Sequence, residues 1–207
     1  MHAFGVIIFY VLYFMTKSEM SSAARFENVT CKGVTLVSRE GWGARPPKKV
    51  VTIPMPVKMV FIHHTAMDYC TNLYACSEAM RKIQNLHMDN RGWSDLGYNY
   101  LVGEDGYVYK GRGWDREGGH TKGYNTDSVA ISVMGDFSDR LPNEKALNAV
   151  NNLIVCGIKQ NKITKNYSLY GHRDVRKTAC PGDKFYDLIT KWSHYGLRNH
   201  NKSAIIG

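Results

Sequence analysis

Short apolar runs alternate with longer amphipathic segments along the chain, and this pattern predicts strands interleaved with helices. The apolar runs are short and partly β-branched, which is typical of buried strands. They cover residues 57–63, 98–102, 107–109, 129–134 and 167–170. The amphipathic segments repeat apolar residues at the helical period and cover residues 77–90, 141–160 and 185–192. Interleaving of this kind favours a single α/β domain with one central sheet flanked by helices.

Local signals add detail to these elements. The first long strand ends at His63 and His64. The next two strands flank a glycine-bounded turn, residues 103–106, and are predicted to pair as a hairpin with Tyr98 at the start of its first strand. Residues 25–56 are predicted to be irregular. The first helix is predicted to be capped by a serine, Ser77, and to bury one face: Ala79, Met80, Ile83, Leu86 and His87.

The N-terminus has the pattern of a secretory signal peptide. An apolar run from Ala3 to Met15 precedes small and polar residues, which predicts cleavage near residues 20–24. The alternative, an uncleaved anchor, is disfavoured because the run is shorter than the roughly 20 residues that span a bilayer. We therefore expect a secreted, extracellular protein without a stable membrane anchor, comprising residues 1–24 as signal and 25–207 as one domain, with its core at about 34–192. Three glycosylation sequons, at Asn28, Asn166 and Asn201, are consistent with export.

The cysteine count is odd, since the chain has 5 cysteines. In an oxidising compartment four would pair and one would remain. Cys70 and Cys76 enclose a short loop and form a natural local pair, and Cys31 could then reach Cys156 in the predicted helix. Cys180 is left over, either as a metal ligand or as a buried, inert side chain.

The charge is basic, with 27 Lys and Arg against 18 Asp and Glu and a formal net charge of +9. A balance of this kind favours polyanionic partners such as nucleic acid, anionic membranes or bacterial wall polymers. No basic helix, zinc finger or RNA-binding signature accompanies the charge, so we expect no nucleic-acid partner.

Three residues far apart in sequence carry the candidate chemistry: His63, His172 and Cys180. Two imidazoles and a thiolate are good Zn²⁺ ligands, and three protein ligands leave a fourth position open, as in catalytic zinc sites. The alternative is that the histidines are ordinary strand-end residues and Cys180 fills space. Tyr98 and Thr178 have hydroxyl groups that can stabilise an oxyanion. No carboxylate base accompanies the set.

The motifs resemble one known family. They are His63-His64-Thr65-Ala66, the stretch from Ile83 to Tyr100 with Arg91-Gly92-Trp93-Ser94-Asp95, Gly111-Arg112-Gly113-Trp114, His120, Gly123-Tyr124-Asn125 and Gly171-His172-Arg173-Asp174 with Cys180-Pro181-Gly182. In this order they are similar to the short peptidoglycan recognition proteins of animal innate immunity, which are related to phage lysozyme-type N-acetylmuramoyl-L-alanine amidases. The resemblance extends from Val34 to Trp192 and implies a mixed central β-sheet.

The resemblance implies a role for each matched position. His63, His172 and Cys180 match the family's zinc ligands, and non-catalytic members lack that cysteine. Tyr98 and Thr178 match catalytic positions, which implies hydrolysis of the amide between N-acetylmuramic acid and L-alanine of the stem peptide. It also implies the disulfides Cys31–Cys156 and Cys70–Cys76. The positions that match the family's peptidoglycan-binding groove are His64, Thr65, His87, Arg91, Gly92, Trp93, Arg112, His120 and Asn125.

Within that groove, Gly92, Trp93 and Arg112 match the pattern that accompanies meso-diaminopimelate as the third stem residue. Diaminopimelate has a carboxylate that lysine lacks, and a guanidinium can hold it with two hydrogen bonds. Two alternatives remain: a non-catalytic peptidoglycan receptor that activates an immune signalling cascade, and a zinc peptidase of another specificity.

Overall fold

Seven strands form one mixed sheet in the computed structural model, which describes residues 25–196. The spatial order of the strands is β1-β2-β5-β4-β6-β3-β7, and β3 lies between two parallel neighbours, β6 and β7. The strands are β1 (Phe26–Glu27), β2 (Leu36–Val37), β3 (Val57–His64), β4 (Tyr100–Val102), β5 (Val108–Lys110), β6 (Ser128–Val133) and β7 (Ile163–Gly171). The predicted fold class is confirmed.

Between residues 25 and 196, three α-helices flank the sheet: α1 (Leu73–Asn85), α2 (Glu144–Lys159) and α3 (Asp183–Ile189). A π-helical turn, Leu86–Asn90, extends α1. The predicted start of α1 was wrong, because the side chain of Asn72 accepts a hydrogen bond from the Ala75 amide and caps the helix one turn earlier. Ser77 is buried inside the helix instead.

Two apolar cores lie on the two faces of the sheet. Helices α2 and α3 pack on one face, where Val60 and Ile62 of β3 contribute. Met80 and Ile83 of α1 pack with Leu101 and Tyr109 on the other. Side chains alternate between faces along a strand, so His63 lies on the face opposite that of Ile62. Leu86 was wrongly predicted to be buried, since the π-helical turn leaves it 38% exposed while His87 is 4% exposed.

The hairpin was predicted correctly but its first strand begins later, at Tyr100, so Tyr98 lies in the preceding loop. The segment 25–56 is mostly irregular, as predicted, apart from β1 and β2. These two short strands extend the sheet because Leu36 and Val37 align in parallel with Val108 and Tyr109.

Both predicted disulfides, Cys31–Cys156 and Cys70–Cys76, are present, and Cys180 is free. Among residues 25–196 no helix is long and apolar enough to cross a membrane. The predicted signal peptide, residues 1–24, and the sequon at Asn201 lie outside the described residues.

Candidate metal and ligand site

Strand pairing brings the two candidate histidine ligands together. In the parallel pair of β3 and β7, Ile62 aligns with Gly171, so the next residues, His63 and His172, lie side by side. Their ring centroids are 4.6 Å apart. His172 begins a short 3₁₀ turn, and Asp174 fixes this turn by accepting a hydrogen bond from the Gly171 amide at 2.7 Å.

The loop after His172 folds back and places Cys180 beside the same pair. Arg173 closes this loop: its amide donates to the Cys180 carbonyl at 3.1 Å, and its guanidinium donates to the Ala179 carbonyl. The Sγ of Cys180 lies 3.5 Å from Nδ1 of His63. One ligand atom from each of His63, His172 and Cys180 lies within 4.8 Å of the other two.

The separation between Cys180 and His63 fits a zinc ion. For a tetrahedral ion bound at the usual Zn–N and Zn–S distances, the nitrogen and sulfur ligands lie about 3.6 Å apart. The observed 3.5 Å between Cys180 and His63 agrees with that value. The donor set of two imidazoles and one thiol is that of a three-ligand zinc site with a fourth position for water or substrate.

Burial controls the protonation of these groups. It lowers the pKa of His63 well below its usual value, and the neighbouring His120 and His172 lower that pKa further. Burial also lowers the pKa of His172, and it raises the pKa of the Cys180 thiol to about 12. Near neutral pH both imidazoles are therefore uncharged and available to a metal, whereas the thiol must lose its proton when a metal binds.

Tyr98 and Thr178 lie near the three candidate metal ligands, His63, His172 and Cys180, but in different environments. The Tyr98 ring is 5.3 Å from that of His63 and 5.9 Å from that of His87. Burial, together with the nearby Cys180, raises the pKa of Tyr98, so its phenol keeps its proton and can donate a hydrogen bond. Thr178 is exposed, and its hydroxyl accepts a hydrogen bond from the Cys180 amide at 3.2 Å.

A pocket of about 550 Å³ adjoins the three candidate metal ligands, and His172 lies in its wall. This volume is in the range of small-ligand sites. Three cationic residues, Arg112, Lys122 and Arg176, line it against one acidic residue, Glu117. Of the residues predicted to bind substrate, four line this pocket: Trp93, Arg112, His120 and Asn125.

The Arg112 guanidinium is held at the pocket wall by main-chain carbonyl groups. It donates to Leu96 and Glu117 at 2.7 Å each and to Asp95 at 3.4 Å. A guanidinium has five N–H groups, so these bonds leave two for a ligand. The side chain is half-buried, and burial lowers its pKa.

An aromatic stack forms beside the pocket. The His87 ring lies 4.6 Å from that of Trp93, and the Arg91 guanidinium lies 5.2 Å from the same indole. Gly92 permits this arrangement because its φ is 69°. Nδ1 of His87 accepts a hydrogen bond from the Gly97 amide at 3.0 Å, and burial lowers its pKa to about 4.

The side chains of His64 and Thr65 contact the loop that follows β6. Nδ1 of His64 accepts from the Phe137 amide at 3.3 Å, and the Thr65 hydroxyl accepts from the Gly135 amide at 3.0 Å. His64 therefore lies on the opposite face of the sheet from His63. The structure does not bring these two side chains into the wall of the pocket described above.

Two fully buried polar residues near the site, Thr121 and Asn99, were not predicted from the sequence to have a role in it. The Thr121 hydroxyl lies between the rings of His63 and His120. Asn99 binds the loop after β5 to strand β6. The available signal for Thr121 was its position directly after His120; a lone asparagine beside a strand offers no comparable signal.

Acid should destabilise the metal-free protein because the site buries neutral histidines. The pKa of His87 is lowered to about 4 and that of His120 to about 3, mainly by burial. Both lie below the ordinary value of 6.5. The unfolded state therefore binds more protons as pH falls below about 6.5, and each histidine removes about 1.4 kcal/mol of unfolding free energy per pH unit.

We expect urea unfolding of the metal-free protein to show a free energy about 2–4 kcal/mol lower at pH 5 than at pH 7. The double substitution His87→Gln with His120→Gln is the matched control, and it should weaken this dependence, while the part contributed by the buried His63 and His172 remains. Equal stability of the unsubstituted protein at the two pH values would contradict the prediction.

The chain matches known proteins over most of its length. Residues 53–183 match the family of N-acetylmuramoyl-L-alanine amidases. Peptidoglycan recognition protein 1 of Mus musculus is 42% identical over 161 residues, which are 77% of this chain and 88% of the mouse protein.

Two solved structures are similar in fold. One, the ectodomain complex of peptidoglycan recognition proteins LCa and LCx bound to tracheal cytotoxin, is 45% identical, with a TM-score of 0.77 over 77% of this chain and 97% of that one. The other, peptidoglycan recognition protein LE, is in complex with the same ligand, a monomeric diaminopimelic acid-type peptidoglycan. It is 37% identical, with a TM-score of 0.78 over 80% of this chain and 98% of that one.

Proposed function

The chain belongs to the N-acetylmuramoyl-L-alanine amidase family, among the peptidoglycan recognition proteins, and from this premise we propose that it is a zinc-dependent amidase of innate immunity. Its substrate is bacterial peptidoglycan, and the bond cleaved is the lactyl amide between N-acetylmuramic acid and the stem peptide. Complexes of relatives with tracheal cytotoxin support the choice of ligand.

One observation carries the proposal of an enzyme rather than a receptor. His63, His172 and Cys180 place their ligand atoms within 4.8 Å of one another beside a pocket of about 550 Å³. Burial keeps His63 uncharged, as a metal ligand must be. A set of three ligands, of which His172 lies in the wall of a ligand-sized pocket, supports catalysis more than it supports a structural role, which would use four ligands.

Each residue of the site has a separate role in the proposed amide hydrolysis. A zinc ion bound there supplies Lewis-acid polarisation of the amide carbonyl and activation of water. Tyr98 keeps its proton and donates a hydrogen bond to the carbonyl oxygen as negative charge develops. Thr178 contributes a hydroxyl at the exposed rim. The cationic pocket holds the acidic stem peptide.

The proposal is tested by incubating the purified protein with diaminopimelate-type peptidoglycan and identifying released stem peptides by mass spectrometry. We expect release that stops with a chelator and resumes when zinc is added back. Binding without release would instead identify a receptor, and cleavage of ordinary peptides at similar rates would identify a zinc peptidase.

We further propose that Arg112 selects meso-diaminopimelate at the third stem position, with Gly92 and Trp93 shaping the same part of the groove. Arg112 retains two N–H groups beyond those bound to carbonyls, and it lines the pocket. The remaining groove residues in this proposal are His64, Thr65, His87, Arg91, His120 and Asn125.

Arg112→Lys should weaken binding of a diaminopimelate muropeptide about 10-fold, because a lysine cannot form the paired hydrogen bonds of a guanidinium. Binding of the corresponding lysine-type muropeptide should change much less. Isothermal titration calorimetry measures both affinities. Arg45→Lys, at an exposed arginine that pairs with Asp89, is the matched control. Equal losses for the two muropeptides would contradict selection by Arg112.

We also propose that the protein is secreted, with residues 1–24 as a cleaved signal and 25–207 as the mature domain. The two disulfides support this proposal because such bonds persist in oxidising compartments. They join Cys31 to Cys156 of α2 and Cys70 to Cys76 of α1.

A further inference from the structure

A buried chain of hydrogen bonds connects His63, one of the three candidate metal ligands, to His120. Nε2 of His63 lies 3.3 Å from the Thr121 hydroxyl, and that hydroxyl lies 3.0 Å from Nδ1 of His120. Thr121 is 0% exposed, His63 1% and His120 8%. Water therefore does not compete for these groups, and Thr121 is the polar partner that both imidazoles share.

The direction of this chain follows from the ring of His63. Its Nδ1 faces Cys180 at 3.5 Å, so Nδ1 must offer its lone pair to a metal held there. A neutral imidazole carries one proton, which then lies on Nε2 and is donated to the Thr121 oxygen. Without a metal the direction is the same when the Cys180 S–H group donates to Nδ1 of His63, which at 3.5 Å is nearer than its other acceptor, the His64 carbonyl at 3.9 Å.

The proton of the Thr121 hydroxyl completes the chain. Because Thr121 accepts from His63, its single O–H group is free to donate to Nδ1 of His120. Nδ1 of His120 is then an acceptor, and the ring carries its proton on Nε2. This nitrogen is buried and has no hydrogen-bond partner within residues 25–196, although His120 lines the pocket.

The backbone around Thr121 is fixed by Asn125. Its side-chain oxygen accepts from the amides of His120 at 3.1 Å and Thr121 at 2.9 Å. The Asn125 carboxamide thus holds the two residues in register with His63. An unpartnered, buried N–H group destabilises the free site, and a ligand oxygen that accepts from it would remove that cost on binding.

We propose that Thr121 is a positioning residue that sets the tautomers of two histidines at once. It frees Nδ1 of His63 for the metal and presents the Nε2–H group of His120 to a carbonyl or carboxylate oxygen of the ligand. This inference rests on the proposed function for the identity of the metal and the ligand, whereas the hydrogen-bond chain itself belongs to the protein alone.

The test compares Thr121→Val, which removes the hydroxyl at nearly constant shape, with Thr121→Ser, which keeps it. Zinc affinity is measured by competition with a chromophoric chelator. Loss of an outer-shell partner weakens metal binding about 10–100-fold, so we expect this loss for Thr121→Val and at most about 3-fold for Thr121→Ser. Circular dichroism is the control that checks whether both variants fold.

Tautomers are read separately from ¹⁵N spectra of metal-free protein labelled at histidine. We expect His63 and His120 to be protonated at Nε2 in the unsubstituted protein and in Thr121→Ser, and His120 to become a mixture in Thr121→Val. If the tautomers are the same in all three proteins, the inference is overturned. If the unsubstituted protein holds no zinc, the proposed function fails, and the metal-free spectra still decide the role of Thr121.

Discussion

Replacing Cys180 by serine should lower the rate of stem-peptide release at least ~10³-fold, because a serine hydroxyl does not ionise readily enough to replace the thiolate as a zinc ligand. Cys180 supplies the only sulfur among the three candidate ligands, and its Sγ lies 3.5 Å from Nδ1 of His63. It forms no disulfide, so the change leaves both cross-links intact. Release is measured by mass spectrometry and zinc content by elemental analysis of the same preparation.

Cys180→Asp is the matched control for this substitution. A carboxylate is a zinc ligand of similar reach, so Cys180→Asp should recover part of the zinc content that Cys180→Ser loses. Binding to insoluble peptidoglycan should persist in both variants, because the cationic pocket remains. If Cys180→Ser hydrolyses its substrate at the original rate and a chelator still inhibits it, Cys180 is not a required metal ligand.

The fold could be predicted from the sequence because its elements are encoded locally. A short β-branched run or an apolar stripe at the helical period identifies a strand or a helix without knowledge of its neighbours. The errors occurred where a specific contact decided the outcome. Asn72 caps α1 in place of Ser77, and a π-helical turn exposes Leu86.

The convergence of the candidate ligands required more than local pattern. His63 and His172 become neighbours through the register of β3 and β7, which pairs Ile62 with Gly171. Register between distant strands depends on long-range packing, so local sequence patterns do not predict it. The proximity of His63 and His172 was predicted instead from their chemistry as metal ligands and from the family resemblance. The supporting residues Thr121 and Asn99 were missed because a decisive partner of each, the ring of His63 for Thr121 and the Ala130 amide for Asn99, is far away in the sequence.

Asn99 should be the most sensitive of these supporting residues, because its side chain satisfies three backbone groups at once. Its amide nitrogen donates to the carbonyls of Gly113 and Arg116 at 2.9 Å each, and its oxygen accepts from the Ala130 amide at 2.9 Å. It is 0% exposed. Asn99→Leu leaves these groups without partners, at about 1–3 kcal/mol each, so we expect a loss of about 3–6 kcal/mol in unfolding free energy.

The loss should appear as a fall in melting temperature of about 6–24 °C, since a domain of this size shifts by about 2–4 °C per kcal/mol. The matched control is Asn151→Leu, at an exposed position on α2, which should change stability by no more than about 0.5 kcal/mol. The carbonyls that Asn99 holds belong to the loop carrying Arg112, so diaminopimelate binding should weaken as well, even below the melting temperature. An Asn99→Leu variant as stable as Asn151→Leu would show that other contacts hold this loop on the sheet.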